Sequence, residues 1–179
     1  MIEISQSDKT TSGDGRKTLL LIRHAKSSWD NESVNDFERT LNDRGKRDAP
    51  VMAKRIKDKE IVIDTIVSSP AKRAKKTASF FAEEYGLGEN DTIYKTELYA
   101  APKDVFSEVI KKFDNSFNHI AVFSHNPGIT EFANSLTDVR IDNMPTCSIF
   151  AIKLELKEWN DFDDAKKEFW FFDYPKSIE

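Results

Sequence analysis

Cysteine is nearly absent from this sequence. Cys147 is the only one in 179 residues, so no intramolecular disulfide can form and a cysteine metal cluster is excluded. A lone thiol suits a reducing compartment, and the cytoplasm is the expected location. Long apolar runs are missing too. None approaches the roughly 20 residues of a membrane-spanning helix, and the first seventeen residues lack the apolar core of a secretory signal. Nor is there an excess of positive charge. Lys and Arg number 27 against 31 Asp and Glu, a net charge of −4, which removes the general electrostatic reason to expect nucleic acid or an anionic membrane as partner. Any cationic site must be local. Internal repeats and low-complexity stretches are also lacking.

What remains is an ordinary globular composition, 39% hydrophobic and 32% charged, long enough for one domain with a substantial core. Thirteen Phe, concentrated between positions 80 and 172, supply large apolar bodies for it. Residues 1–17 are rich in Ser, Thr, Asp and Gly and read as a flexible N-terminal extension. Residues 18–179 read as a single domain.

Apolar, β-branched runs at Thr18 to Arg23, Thr65 to Ser68 and His119 to Ser124 are each followed by helical periodicity, an alternation of strand and helix. The helical stripes are Ala49, Met52, Ala53 and Ile56; Ala71 to Tyr85, stopped by Gly86; and Val105 to Phe113 after Pro102. Asn42 or Asp43 is placed to cap the first of these. Pro50 then falls inside that helix and should bend it or move its start towards 49. Ile93 to Leu98 has the pattern of a further strand. Ser148 to Leu156 and Phe169 to Phe172, separated by a turn-rich segment, predict two antiparallel edge strands. The expected fold is α/β: three layers, a mostly parallel sheet with antiparallel edge strands, and helices on both faces.

Chemistry collects where the strands end, and in open α/β sheets ligands bind just outside those carboxyl ends. The first strand finishes on Arg23-His24-Ala25. The second runs into Ser69-Pro70, predicted as N-cap and first helical residue, with Arg73 in the first turn. The third finishes on Ser124-His125-Asn126-Pro127, with Asn126 as the expected cap. Each residue alone has a plain structural reading, and Lys72, Lys75 and Lys76 read as a solvated helix face. Together the three strand ends bring Arg23, His24, Arg73 and His125 to one edge of one sheet. No carboxylate interrupts this set in the sequence pattern, so it describes an anion pocket, with no metal and no cofactor. Arginines grip phosphoryl oxygens, and a neutral imidazole is a competent nucleophile towards phosphorus. Neighbouring cations push a histidine below its usual value of about 6.5 and keep it neutral. Adjacent residues on a regular strand face opposite ways, so Arg23 and His24 share a site only if the chain leaves the strand there.

Taken in order, Arg23-His24-Ala25, Ser69-Pro70 with Arg73-Ala74 and Thr77-Ala78, and Ser124-His125-Asn126-Pro127 resemble the histidine phosphatase superfamily. Within it, the stretch from Lys26 to Asp30 and from Asp36 to Gly45 looks like the small SixA-like phosphohistidine phosphatase branch. The resemblance runs from about Thr18 to Leu154 and implies a phosphoglycerate mutase-like fold. It implies that His24 is phosphorylated during turnover, that Arg23 and Arg73 bind the phosphoryl group, and that His125 stabilises it in transfer. Arg39 and Asn126 are candidate substrate contacts; Ser27 and Asp30 are weaker ones. Ala25 departs from the Gly usual in the superfamily, and Asp30 stands where many members have Asn.

Relatives acting on metabolites supply a general acid for an alkoxide leaving group. Glu97 is the nearest candidate here, but it is out of the expected place. A departing imidazole needs less help, because its own ring carries the proton near neutral pH. The expected activity is therefore hydrolysis of a phosphoramidate, phosphohistidine on a protein, at an open site without a metal. Two alternatives stay open: a phosphomonoesterase or mutase acting on a small phosphorylated metabolite, and a non-catalytic phosphate-binding module. The expected partner is a phosphorylated protein or small phosphorylated substrate, with no nucleic acid and no membrane. The sequence leaves the oligomeric state open and is compatible with a monomer.

Overall fold

The computed structural model describes residues 15–177. Most of the expected N-terminal extension, residues 1–14, lies outside them. Arg16 and Lys17 do not belong to an extension, because strand β1 (Arg16–Arg23) begins two residues earlier than the apolar run suggests. Lys17 is buried there, and its ammonium donates to the carbonyls of Asn115 and Phe117 and to Asn118 Oδ1 at 2.9–3.1 Å.

Helix α1 (Asp43–Asp58) follows β1, then β2 (Thr65–Ser68), α2 (Lys72–Tyr85), β3 (Thr92–Tyr94), α3 (Lys103–Ile110), β4 (His119–Ser124), α4 (Gly128–Leu136), β5 (Ile149–Glu155) and β6 (Lys166–Asp173). Among the described residues the strands form one sheet in the order β3-β2-β4-β1-β5-β6. The four strands from β3 to β1 are parallel, and β5 and β6 run antiparallel. This is the expected α/β sheet with one refinement: β5 is internal, hydrogen-bonded to both β1 and β6, and only β6 is an antiparallel edge.

β1 shows why the central runs are continuously apolar. Leu19 and Leu21 enter one core with α3, α4 and the Trp159 turn, while Leu20 and Ile22 enter the other with α1 and α2. A strand covered on both faces needs apolar residues at every position.

Of the two outcomes open for Pro50, a moved start is excluded: α1 begins at Asp43, where the expected cap Asn42 accepts from the Gly45 N–H at 2.9 Å, and Pro50 sits inside it. The packing of Ala49, Met52, Ala53 and Ile56 into the core outweighs one lost backbone hydrogen bond. Ile93 to Leu98 is not one strand, since β3 stops at Tyr94 and Thr96–Leu98 forms a 3-10 turn. Finally, α2 and α4 start later than predicted, with Ala71 and Pro127 at the cap positions and no side-chain cap bond at either.

Candidate active site

Strand register assembles the site. β1 and β4 pair in parallel with Arg23 opposite Ser124, so the next residues, His24 and His125, emerge side by side with ring centroids 5.1 Å apart. β2 lies on the other side of β4, and the Ser69 N–H bonds to Phe123 O, which brings the start of the α2 segment to the same edge. The condition on Arg23 and His24 is met. β1 ends at Arg23, and the Cys147 N–H bonds to the carbonyls of both Arg23 and His24 as the chain turns away.

His24 Nδ1 lies 2.8 Å from the carbonyl of Ala25. A carbonyl only accepts, so Nδ1 carries the hydrogen and Nε2 keeps its lone pair. That lone pair faces the Arg73 guanidinium, whose Nε–H donates to it at 3.3 Å. Burial, then His125, Arg73 and Arg23, hold the His24 ring well below the usual imidazole value, against the Ala25 hydrogen bond. The ring is neutral at pH 7, with its nucleophilic nitrogen exposed to a cation.

His125 Nε2 is 2.7 Å from Ser69 Oγ, whose oxygen also accepts from the Ala71 N–H at 3.3 Å. With that hydroxyl donating, the neutral ring presents Nδ1–H as a donor. Three buried side-chain polar atoms among the described residues lack a hydrogen-bond partner, and two of them belong here: His125 Nδ1 and Arg23 Nε. Buried orphan donors are rare enough to mark where ligand oxygens belong. Arg23 is otherwise fixed by a 2.7 Å bond from Nη1 to Met144 O, and both burial and Arg73 lower its pKa. Two guanidinium groups are thus held close together, an arrangement that favours an anion between them.

A carboxylate does reach this set, contrary to the sequence pattern. Asp36, at the start of a 3-10 turn (Asp36–Glu38), accepts from Arg73 Nη2 and from the Tyr99 hydroxyl through Oδ2, both at 2.8 Å, and from Arg39 Nη1 through Oδ1 at 2.9 Å. Its backbone carbonyl accepts from Arg73 Nη1. Burial opposes the charge, but the hydrogen bonds from Tyr99, Arg73 and Arg39 outweigh it and hold Asp36 below the ordinary carboxylate range. Asp36 is therefore a permanent anion that fixes the outer edge of Arg73, leaving Nε–H turned inwards. Tyr99, whose ring meets His125 edge-on at 5.6 Å, holds Asp36 in turn. Neither residue stood out in the sequence. The available signals were the three-residue spacing from Asp36 to Arg39 and the position of Tyr99 in the segment between β3 and α3.

Arg39 is buried beneath Trp29, its guanidinium carbon 3.2 Å from the ring centroid, and it also donates to Ser28 O and Ser27 Oγ. It acts on the site through Asp36. Ser27 is committed to Arg39, and Asp30 is exposed and bonded to Ser28. Asn126 donates to Asn143 Oδ1 and Met144 O and accepts from Thr130 Oγ1, so its polar atoms tie α4 to the loop before β5. Glu97 is exposed, and its own backbone N–H lowers its pKa, the opposite of what a proton donor needs. Among the described residues no three His, Cys, Asp or Glu side chains come together as metal ligands.

Two expected outcomes follow from this geometry. Asp36→Asn keeps the shape but removes the charge on Arg73, and kcat/KM is expected to fall about tenfold to a hundredfold, mostly in KM. Steady-state kinetics with the variant would show it, and an unchanged KM would remove Asp36 from the site. The second concerns stability. His125, buried and facing Arg73 and Arg23, is pushed down to about 3, and His24 is also lowered. Below about pH 6.5 the unfolded chain takes up protons that the folded rings refuse. Stability is then lost as pH falls from about 6.5 towards 3, at up to about 1.4 kcal/mol per pH unit for each ring. Thermal unfolding between pH 7 and 5 is expected to show a shallower slope in His125→Asn than in the unaltered chain.

Fold and site together define an α/β protein with two histidines and two arginines gathered at the strand ends. In sequence, residues 19–99 match the model of the histidine phosphatase superfamily (branch 1). The fold is that of SixA proteins. A protein assigned as the phosphohistidine phosphatase SixA of Agrobacterium tumefaciens superposes with a TM-score of 0.72 over 89% of this chain and 98% of its own, at 22% identity. The protein histidine phosphatase SixA in complex with tungstate gives 0.74 over 88% and 97%, at 20% identity. Among sequence relatives, an uncharacterised chloroplastic protein of Arabidopsis thaliana is 27% identical over 153 residues, 81% of this chain and 70% of its own length. A 2,3-bisphosphoglycerate-dependent phosphoglycerate mutase of Bartonella tribocorum is 30% identical over 84 residues, 46% of this chain and 41% of the mutase. Among the described residues no helix is long and apolar enough to cross a membrane.

Proposed function

We propose that this protein hydrolyses a phosphoramidate, phosphohistidine on a protein, through a phospho-His24 intermediate and without a metal. The observation that carries this reading is the tautomer of His24: Nδ1–H is held by Ala25 O, and the Nε2 lone pair is neutral, buried and aimed at a guanidinium. On substrate binding, Arg73 Nε–H, Arg23 Nε–H and His125 Nδ1–H turn to the phosphoryl oxygens. His24 Nε2 forms a bond to phosphorus while the P–N bond of the substrate breaks, and the electron pair leaves on the departing ring nitrogen. A proton on the other ring nitrogen, taken from solvent, makes the leaving group a neutral imidazole. Water then attacks phospho-His24, the P–N bond breaks with its electron pair returning to Nε2, and phosphate departs with one proton of the water while the other passes to solvent.

The leaving group decides between this reading and a phosphomonoesterase or mutase. Glu97, the nearest candidate acid in the sequence, and Asp36, which the fold brings to the site, are both held as anions. The Tyr99 hydroxyl is spent on Asp36, and that bond raises its pKa. An alkoxide leaving group, which needs a proton in the transition state, finds no ready donor among these three. A phosphohistidine peptide is expected to turn over at least about a hundredfold faster than an alkyl phosphate of similar size. Comparable rates would favour the metabolite reading. Full activity in the presence of a chelator is expected, and its loss would overturn the metal-free mechanism.

A further inference from the structure

A groove of about 990 Å³ lies outside the pocket, along the outer face of α2, and four lysines line it: Lys46, Lys72, Lys75 and Lys76. Among the described side chains, Glu83 is the single acidic one in that lining. On α2 the spacing of Lys72, Lys75, Lys76, Ser79 and Glu83 places all five on one stripe of the helix. In a chain of net charge −4, this is a concentrated positive surface.

Its charge is largely unspent. Lys75 sits 4.9 Å from the Tyr94 ring centroid and Lys76 4.6 Å from that of Phe80. These aromatic contacts orient the ammonium groups without neutralising them. Among the described residues only Lys72 meets a carboxylate, Glu38 at 2.5 Å. That pair links the groove to the pocket, since Lys72 adjoins Arg73 and Glu38 belongs to the same 3-10 turn as Asp36. The Lys72 end of the stripe therefore adjoins the pocket, where Arg73 meets His24. Tyr94, 42% exposed, adds an aromatic surface at the far end.

We propose that this groove holds an acidic segment of the phosphoprotein substrate and so selects the substrate by the residues flanking its phosphohistidine. The inference rests on the phosphatase reading above. A single exposed ion pair contributes little, but Lys46, Lys75 and Lys76, which have no ion-pair partner among the described residues, together give roughly tenfold or more in affinity for one acidic segment, weakening as salt rises.

The test compares the unaltered protein with Lys75→Glu/Lys76→Glu, two exposed positions outside the pocket. Fluorescence anisotropy is measured on unphosphorylated peptides with a central His flanked by Glu and Asp or, in the control, by Gln and Asn. The acidic peptide is expected to bind the unaltered protein about tenfold more tightly than the control and to lose that advantage in the variant. With the phosphorylated peptides, kcat/KM is expected to follow the same contrast, while phosphoramidate turnover is the same in both proteins. Equal binding of the two peptides, or tighter binding of a single-stranded oligonucleotide than of the acidic peptide, would overturn the proposal. Absence of phosphoramidate turnover in the unaltered protein would instead refute the phosphatase reading, because the binding contrast is read without catalysis.

Discussion

His24→Ala is expected to lower kcat on a phosphoramidate by at least about ten-thousand-fold, while inorganic phosphate still binds within about tenfold of its original affinity. The asymmetry follows from the division of labour in the pocket. Arg23 Nε–H, His125 Nδ1–H and the Arg73 guanidinium are positioned independently of the His24 ring, by Met144 O, Ser69 Oγ and Asp36. Removing the ring therefore removes the proposed nucleophile and leaves the surrounding donors in place. In the unaltered protein, rapid quenching should trap acid-labile phosphate on His24; in the variant none should form. Turnover that survived the substitution would end the phospho-histidine mechanism. Phosphate release too slow to measure in both proteins, with equal binding, would make the protein a recognition module.

The second large effect is structural and lies at Gly128. A methyl group there would fall 1.8 Å from Ala101 O and 3.0 Å from the Ala101 carbonyl carbon. Both are backbone atoms, so no side-chain rotation relieves the overlap. Either α4 withdraws, carrying His125 through the bond from Ile129 N–H to His125 O, or the 99–102 segment moves with Tyr99 and loosens Asp36. Gly128→Ala is expected to cost about 3 kcal/mol or more, a fall in Tm of about 6–12 °C for a domain of this size. Activity is expected to fall with it even where the protein stays folded. Gly86→Ala is the contrast, because Gly86 takes a left-handed φ of 66° but has open space around it. It is expected to cost only about 1 kcal/mol. Equal Tm shifts for the two variants would show that the contact at Ala101 is not tight.

These two sites differ in how far they could be read from sequence. His24 announces itself: an apolar strand that ends on Arg-His is legible because burial on both faces leaves no other place for charge. The parallel order of β1, β2 and β4 follows from the same continuous runs, and the parallel register then carries His125 to His24 without further information. Asp36 and Tyr99 were illegible for a physical reason. Neither sits at a strand end, and they meet only because the Asp36–Glu38 turn and the segment after β3 close over Arg73 from opposite sides. The capping errors share one origin. Ser69 has the right residue type for an N-cap, and its oxygen does accept from the Ala71 N–H at 3.3 Å, but its hydroxyl also serves His125 across the sheet edge and the helix starts only at Lys72. Pro50 shows the reverse balance, a local penalty that a buried helix face absorbs.

The turn that lets Arg23 and His24 leave β1 together depends on Cys147, a fully buried residue with a left-handed φ of 62°. Its thiol is pushed up by burial, out of reach of neutral-pH deprotonation. Alkylating reagents react with thiolates, so in the native protein this sulfur is silent, and labelling must wait for the loop behind the pocket to open. The only cysteine in the chain is thus a built-in clock: its modification rate reports how often the turn behind His24 comes apart. An anion bound between the two arginines should slow that clock in proportion to its affinity.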